Sequence, residues 1–112
     1  MEPIKFMNRG AITVQPKKPF FEWGNAVFAD EHPLKLEDDP ESSTYLVDDD
    51  WVSEKEALQA HWAAIFEQEL FSMCTDENTW PPNRNLNMFK AWFSFRFASM
   101  VIDLEEGGLW YE

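Results

Sequence analysis

Residues 74–84 read CTDENTWPPNR and bring together the chain's only cysteine, two acids, a tryptophan, two prolines and an arginine. A thiol within hydrogen-bond reach of a base is the pairing that nucleophilic catalysis needs, which directs attention to the two histidines. His61 precedes Cys74 by thirteen positions, and along a continuous helix that separates them by about 20 Å. His32 sits in a stretch with no motif around it, and the acids Asp76 and Glu77 oppose a thiolate beside them. Cys74 therefore reads first as a small hydrophobe at a helix end. The alternative is a ligand pocket built from Cys74, Asp76, Glu77, Trp80 and Arg84, with Arg84 as an anion clamp.

The carboxylates are the second source of chemistry. Asp76, Glu77, Asp103 and Glu69 would act as acid and base if the helices flanking the corner brought them together, but their spacing carries no motif. Metal ligation lacks a framework: there is no HExxH or CxxC, and DDDWVSEKE has neither the glycine nor the terminal ligand of a calcium loop. Asp48, Asp49 and Asp50 read as a solvated acidic run placed favourably before a helix N-terminus. With no glycine-rich phosphate cradle, GxSxG elbow or dinucleotide fingerprint, the sequence implies no cofactor and no catalytic residue.

Charge narrows the partners. Nine Lys and Arg stand against 21 Asp and Glu, a net charge of -12 in 112 residues, which repels nucleic acid backbones and anionic lipid surfaces. From Glu31 to Glu56 ten acids face only Lys35 and Lys55, a local balance of -8. Such a concentration suits a basic protein partner and speeds its association by steering. Asp48, Asp49, Asp50 and the adjacent Trp51 are the candidate contact residues. Trp80 and Trp110 also lie beside turns or the terminus, where an indole can anchor a partner. No apolar run is long enough to span a bilayer and no signal peptide is recognisable, so the expected compartment is the cytoplasm.

The elements that must position these residues follow from periodicity. GAITV, residues 10–14, is β-branched and predicts a strand. PFFEWGNAVFA predicts a helix over about 19–29, opened by Pro19 and weakened by Gly24. Residues 30–43 read as a turn-rich loop, and TYLV, 44–47, as a second strand. Ser53 and Glu56 stand in the capping-box relation, with Val52 and Ala57 as a staple, at the start of a helix over 53–73. Its apolar stripe is Leu58, Trp62, Ile65, Phe66, Leu70 and Met73, and Gln59, Glu67, Gln68 and Glu69 are expected largely off it. Leu86, Phe89, Phe93, Phe97, Met100 and Leu104 recur at spacings of three and four, predicting one long helix over 85–105 capped by Asn85. The competing reading is a late strand within 98–104, SMVIDL. The order β-α-β-α-α gives an α+β fold, a two- to three-stranded sheet packed against three aromatic-rich helices. Parallel neighbouring strands would require a right-handed crossover. The chain reads as one domain, with residues 1–7 a candidate disordered leader because Met7 offers an alternative start.

The segments GAITVQPKKPF, DP with STYLV, CTDENTWPPNR, MFKAWF and SMVIDL together resemble a family of small acidic bacterial proteins of unassigned function. The resemblance covers roughly residues 8–105, with departure expected before Met7 and in the tail GGLWYE. It implies a compact bacterial cytoplasmic domain and assigns no catalytic residue. The expectation for function is a non-enzymatic protein-binding or inhibitory module using its acidic 31–56 segment.

Overall fold

Gly10 to Val14 pack on both flanks, because the strand that contains them lies in the middle of the main sheet. A computed structural model describes residues 5–28, 41–48, 50, 53–105 and 107–108. The elements in chain order are β1 (Lys5–Phe6), β2 (Arg9–Pro16), α1 (Lys18–Val27), β3 (Ser43–Asp48), α2 (Glu54–Met73), a 3-10 turn (Glu77–Thr79), α3 (Leu86–Trp92), β4 (Phe93–Ala98) and β5 (Ile102–Asp103). The fold is α+β. Its three-stranded sheet has the order β3-β2-β4, and both pairings are antiparallel. The parallel arrangement with its crossover is thereby excluded.

The register explains which face is buried. Ile12 lies between Tyr45 and Phe97, and Val14 between Ser43 and Phe95, so these side chains share one face by strand alternation. That face meets the helices: Ile12, Val14, Val47 and Phe93 join Phe20, Leu58, Ile65, Phe66, Leu70 and Phe89 in one core. Phe66 is its hub, with ring centroids 5.9 Å from Phe89, 5.5 Å from Trp92 and 5.4 Å from Phe93. The opposite face carries Thr44, Leu46, Ser94, Arg96 and Ala98, all exposed, as expected of an antiparallel sheet covered on one side only. Across it Thr13 and Thr44 share a hydroxyl hydrogen bond of 3.0 Å. Gly10 is required where β2 approaches β4, because a Cβ there would lie 2.9 Å from the Ala98 carbonyl oxygen.

The long helix predicted over 85–105 is overturned. Asn85 does cap its start, accepting from the Met88 amide at 2.8 Å, but the helix ends at Trp92 and a strand follows at once. The cause is tertiary. The Lys17 backbone amide donates to the Trp92 carbonyl at 2.8 Å, and the Lys17 ammonium donates to the Lys90 carbonyl at 2.9 Å. Two acceptors that a continuing helix would use are thus taken by the β2–α1 junction. Phe93, Phe95 and Phe97 then alternate inward, while Ser94, Arg96 and Ala98 point outward. A late strand does lie within 98–104, the short β5 at Ile102–Asp103, and a longer one, β4, precedes it from Phe93.

Beyond the main sheet the two strands run on as a ribbon. Phe6 pairs with Ile102 and the Met7 amide donates to the Val101 carbonyl at 2.8 Å. Between the pairs Phe6↔Ile102 and Ala11↔Ala98, four residues (7–10) face three (99–101), so the N-terminal strand carries a one-residue bulge. The candidate leader is therefore strand-forming from Lys5 onward. The Val52 staple lies outside the described residues.

Candidate functional site: the acidic end of the sheet

β3 ends at Asp48, which pairs with Arg9 at the root of the ribbon. Asp48 and Asp50 are exposed. Among the described residues neither takes part in an ion pair; the two pairs found there are Lys18 with Glu22 and Arg84 with Glu67. Asp49 and Trp51 lie outside the described residues. A few positions on, Ser53 caps α2, its hydroxyl accepting from the Glu56 amide at 3.2 Å, and Glu54 and Glu56 occupy the first helical turn, where the helix dipole favours them. Glu54 has a second task. Its carboxylate accepts from the Phe97 amide at 3.2 Å, occupying a donor on an edge strand that would otherwise invite pairing with another chain. Of the exposed acids at this end, Glu54 is thus engaged by the fold, whereas Asp48 and Asp50 take part in no ion pair among the described residues.

The corner at 74–84 consumes most of its own polar groups. Cys74 caps the end of α2, its amide donating to the Leu70 carbonyl at 2.8 Å, and its sulfur accepts from the Thr79 hydroxyl at 3.3 Å. Asp76 accepts from the Asn78 amide at 3.1 Å and so opens the 3-10 turn. The Trp80 indole donates to the Cys74 carbonyl at 2.9 Å, and the Trp23 indole donates to the Thr79 carbonyl, also at 2.9 Å. Arg84 pairs with neither Asp76 nor Glu77. It donates to the Pro81 carbonyl at 2.8 Å, reaches Glu67 at 3.5 Å and lies 5.7 Å from the centre of the Trp80 ring. Glu77 is exposed. Trp80 packs against the core, and Trp110 is outside the described residues.

Against expectation, Glu69 is on the buried stripe of α2, only 4% exposed. It follows Ile65 by four positions, which places it on the inner face. Its carboxylate accepts a hydrogen bond from the Tyr45 hydroxyl of β3. Burial first, then the hydrogen bond to Glu69 and its charge, hold the Tyr45 hydroxyl well above its ordinary range, with a hydrogen bond from Ser43 acting the other way. Beside this pair a cleft of about 260 Å³ runs between β3 and α2, lined by Leu46, His61 and Gln68 among others. The four carboxylates considered for acid–base work have separate engagements: Glu69 with Tyr45, Asp76 with Asn78 and Asp103 with the Glu105 amide at 2.9 Å, while Glu77 faces solvent.

The chain matches no family model, no curated protein and no solved structure in the comparisons made. Among the described residues, no group of three His, Cys, Asp or Glu side chains is placed to hold a metal ion, and no helix is long and apolar enough to cross a membrane. A shallow concavity of about 600 Å³ lies beside Lys17 and Lys18, but Lys17 is tied to the Lys90 carbonyl and Lys18 to Glu22 at 3.7 Å. Sequence reasoning missed the Tyr45–Glu69 pair, for which the four-residue step from Ile65 was the available signal.

Proposed function

We propose that this protein is a non-enzymatic binding module that receives a basic protein on the acidic end of its sheet. The observation that carries the reading is the pair Asp48 and Asp50, exposed and in no ion pair among the described residues, within a segment whose balance is -8. The corner supports a ligand site less well, since Cys74, Asp76, Trp80 and Arg84 each satisfy a neighbour there. A field of this sign raises the encounter rate with a basic surface and weakens as salt screens it. An inhibitory module that covers the basic surface of a nuclease is a narrower form of the same reading, acting in the cytoplasm.

The test is capture of partners from source-cell extract at low and high salt, with wild type and with the double variant Asp48→Asn, Asp50→Asn. The expected result is a basic protein retained at low salt, released at high salt and lost by the variant. Absence of any salt-sensitive partner refutes the reading.

A further inference from the structure

The ribbon carries an apolar face that nothing in the chain's described residues covers. Met100, Ile102 and Leu104 follow one another at steps of two, and Phe6 stands directly across from Ile102. Phe6 and Ile102, directly opposite each other, share one side, and Met100 and Leu104 flank Ile102 at a two-residue step just outside β5. Their exposures are 63% for Phe6, 63% for Met100, 42% for Ile102 and 87% for Leu104, and they make up four of the six large hydrophobics exposed among the described residues. A two-stranded ribbon is marginal in water without a covering element, and a contiguous apolar patch on a soluble chain marks an interaction surface.

An acid stands at one end of this face: the Arg9↔Asp48 pairing brings the end of β3 to the ribbon's root. Asp103 pairs with Lys5 and by alternation lies on the ribbon's other face. The basic residues on this stretch of strand are Lys5 and Arg9, and the Arg9 guanidinium donates to the Asn8 carbonyl at 2.8 Å.

We infer that the ribbon face is the docking surface for the basic partner, and that the partner presents an amphipathic segment: an apolar stripe to cover Phe6, Met100, Ile102 and Leu104, with Lys or Arg at the end that meets Asp48 and the acidic end of the sheet. This rests on the binding reading above and adds the place and the apolar half of the recognition. Charge selects this occupant. A second copy brings a net charge of -12 of its own, and an anionic membrane is repelled by the same field.

The probe is a labelled helical peptide of leucine and lysine, titrated by fluorescence anisotropy beside polylysine as the charge-only control. Ile102→Ser and Met100→Ser, both outside the core, each weaken the leucine–lysine peptide about tenfold, the factor for losing burial of one large apolar side chain, and leave polylysine unchanged. Asp48→Asn with Asp50→Asn weakens both ligands. If the acid variant weakens both but neither ribbon variant affects the amphipathic peptide, the ribbon assignment is overturned and the acidic-end reading survives. If neither ligand binds, both fall. Sedimentation showing a wild-type dimer that Ile102→Ser dissociates, or wild-type binding to anionic vesicles that Ile102→Ser abolishes, overturns the basic segment in favour of a second copy or a membrane.

Discussion

Replacing Tyr45 with phenylalanine removes one hydroxyl and leaves the Glu69 carboxylate, 4% exposed, without its donor. A buried charged acceptor stripped of its partner pays the desolvation cost in full, so Tyr45→Phe is expected to destabilise by about 2–3 kcal/mol. Glu69→Leu removes the carboxylate and leaves a hydroxyl on a half-buried ring that can still turn toward Ser43 or water; about 1 kcal/mol is expected. The double variant replaces both polar groups by apolar ones on the core side of the sheet, a change that is close to neutral when packing is retained. The two single losses therefore overstate the double loss by about 3–4 kcal/mol. Urea unfolding of the four proteins, with the denaturant slope unchanged between them, measures that coupling. Additivity within about 0.5 kcal/mol refutes the argument, because it would mean the two groups do not depend on each other.

Above its ordinary value of 10.0 the Tyr45 hydroxyl is still protonated in the folded chain, whereas the unfolded chain has lost that proton. Stability from this group is thus complete below about pH 10 and falls as pH rises beyond it; urea midpoints of wild type should drop more steeply there than those of Tyr45→Phe. Gly10→Ala places a methyl 2.9 Å from the Ala98 carbonyl oxygen and should cost about 1–3 kcal/mol in thermal unfolding, as overpacking does; an unchanged melting temperature would show that the two strands separate freely. Trp80→Phe deletes the donor to the Cys74 carbonyl and weakens the seat of Arg84, for an expected loss of about 1 kcal/mol in chemical unfolding.

Where local chemistry decides structure, the sequence is readable. Ser53 with Glu56, Asn85 before α3, and the Asp76 and proline turn all act through bonds to near neighbours, so their roles are visible before any fold is known. The strand at Phe93–Ala98 was obscured because two periodicities overlap there: Phe89, Phe93 and Phe97 fit a helix, while Phe93, Phe95 and Phe97 fit a strand. The choice is made by Lys17, far away in the chain, which takes the carbonyls of Lys90 and Trp92. Arg84 illustrates the same limit. Its acidic partner is Glu67 on α2 rather than the nearer Asp76 or Glu77. At the acidic end, Asp48 and Asp50 can be named from composition alone, but the apolar ribbon cannot, since Met100 and Leu104 also fit the helical spacing of Phe93 and Phe97.

The central strand has a consequence for how the chain is made. β2 is complete early in the sequence, yet it receives β4 along one side through pairs such as Ala11 with Ala98 and Pro16 with Phe93. On a ribosome, half of the main sheet must wait until nearly all of the described chain has been synthesised, and in that interval β2 offers an unpaired edge. Contacts of such long sequence separation also slow folding. The strong charge that marks the finished surface would, during that wait, keep the growing chains apart.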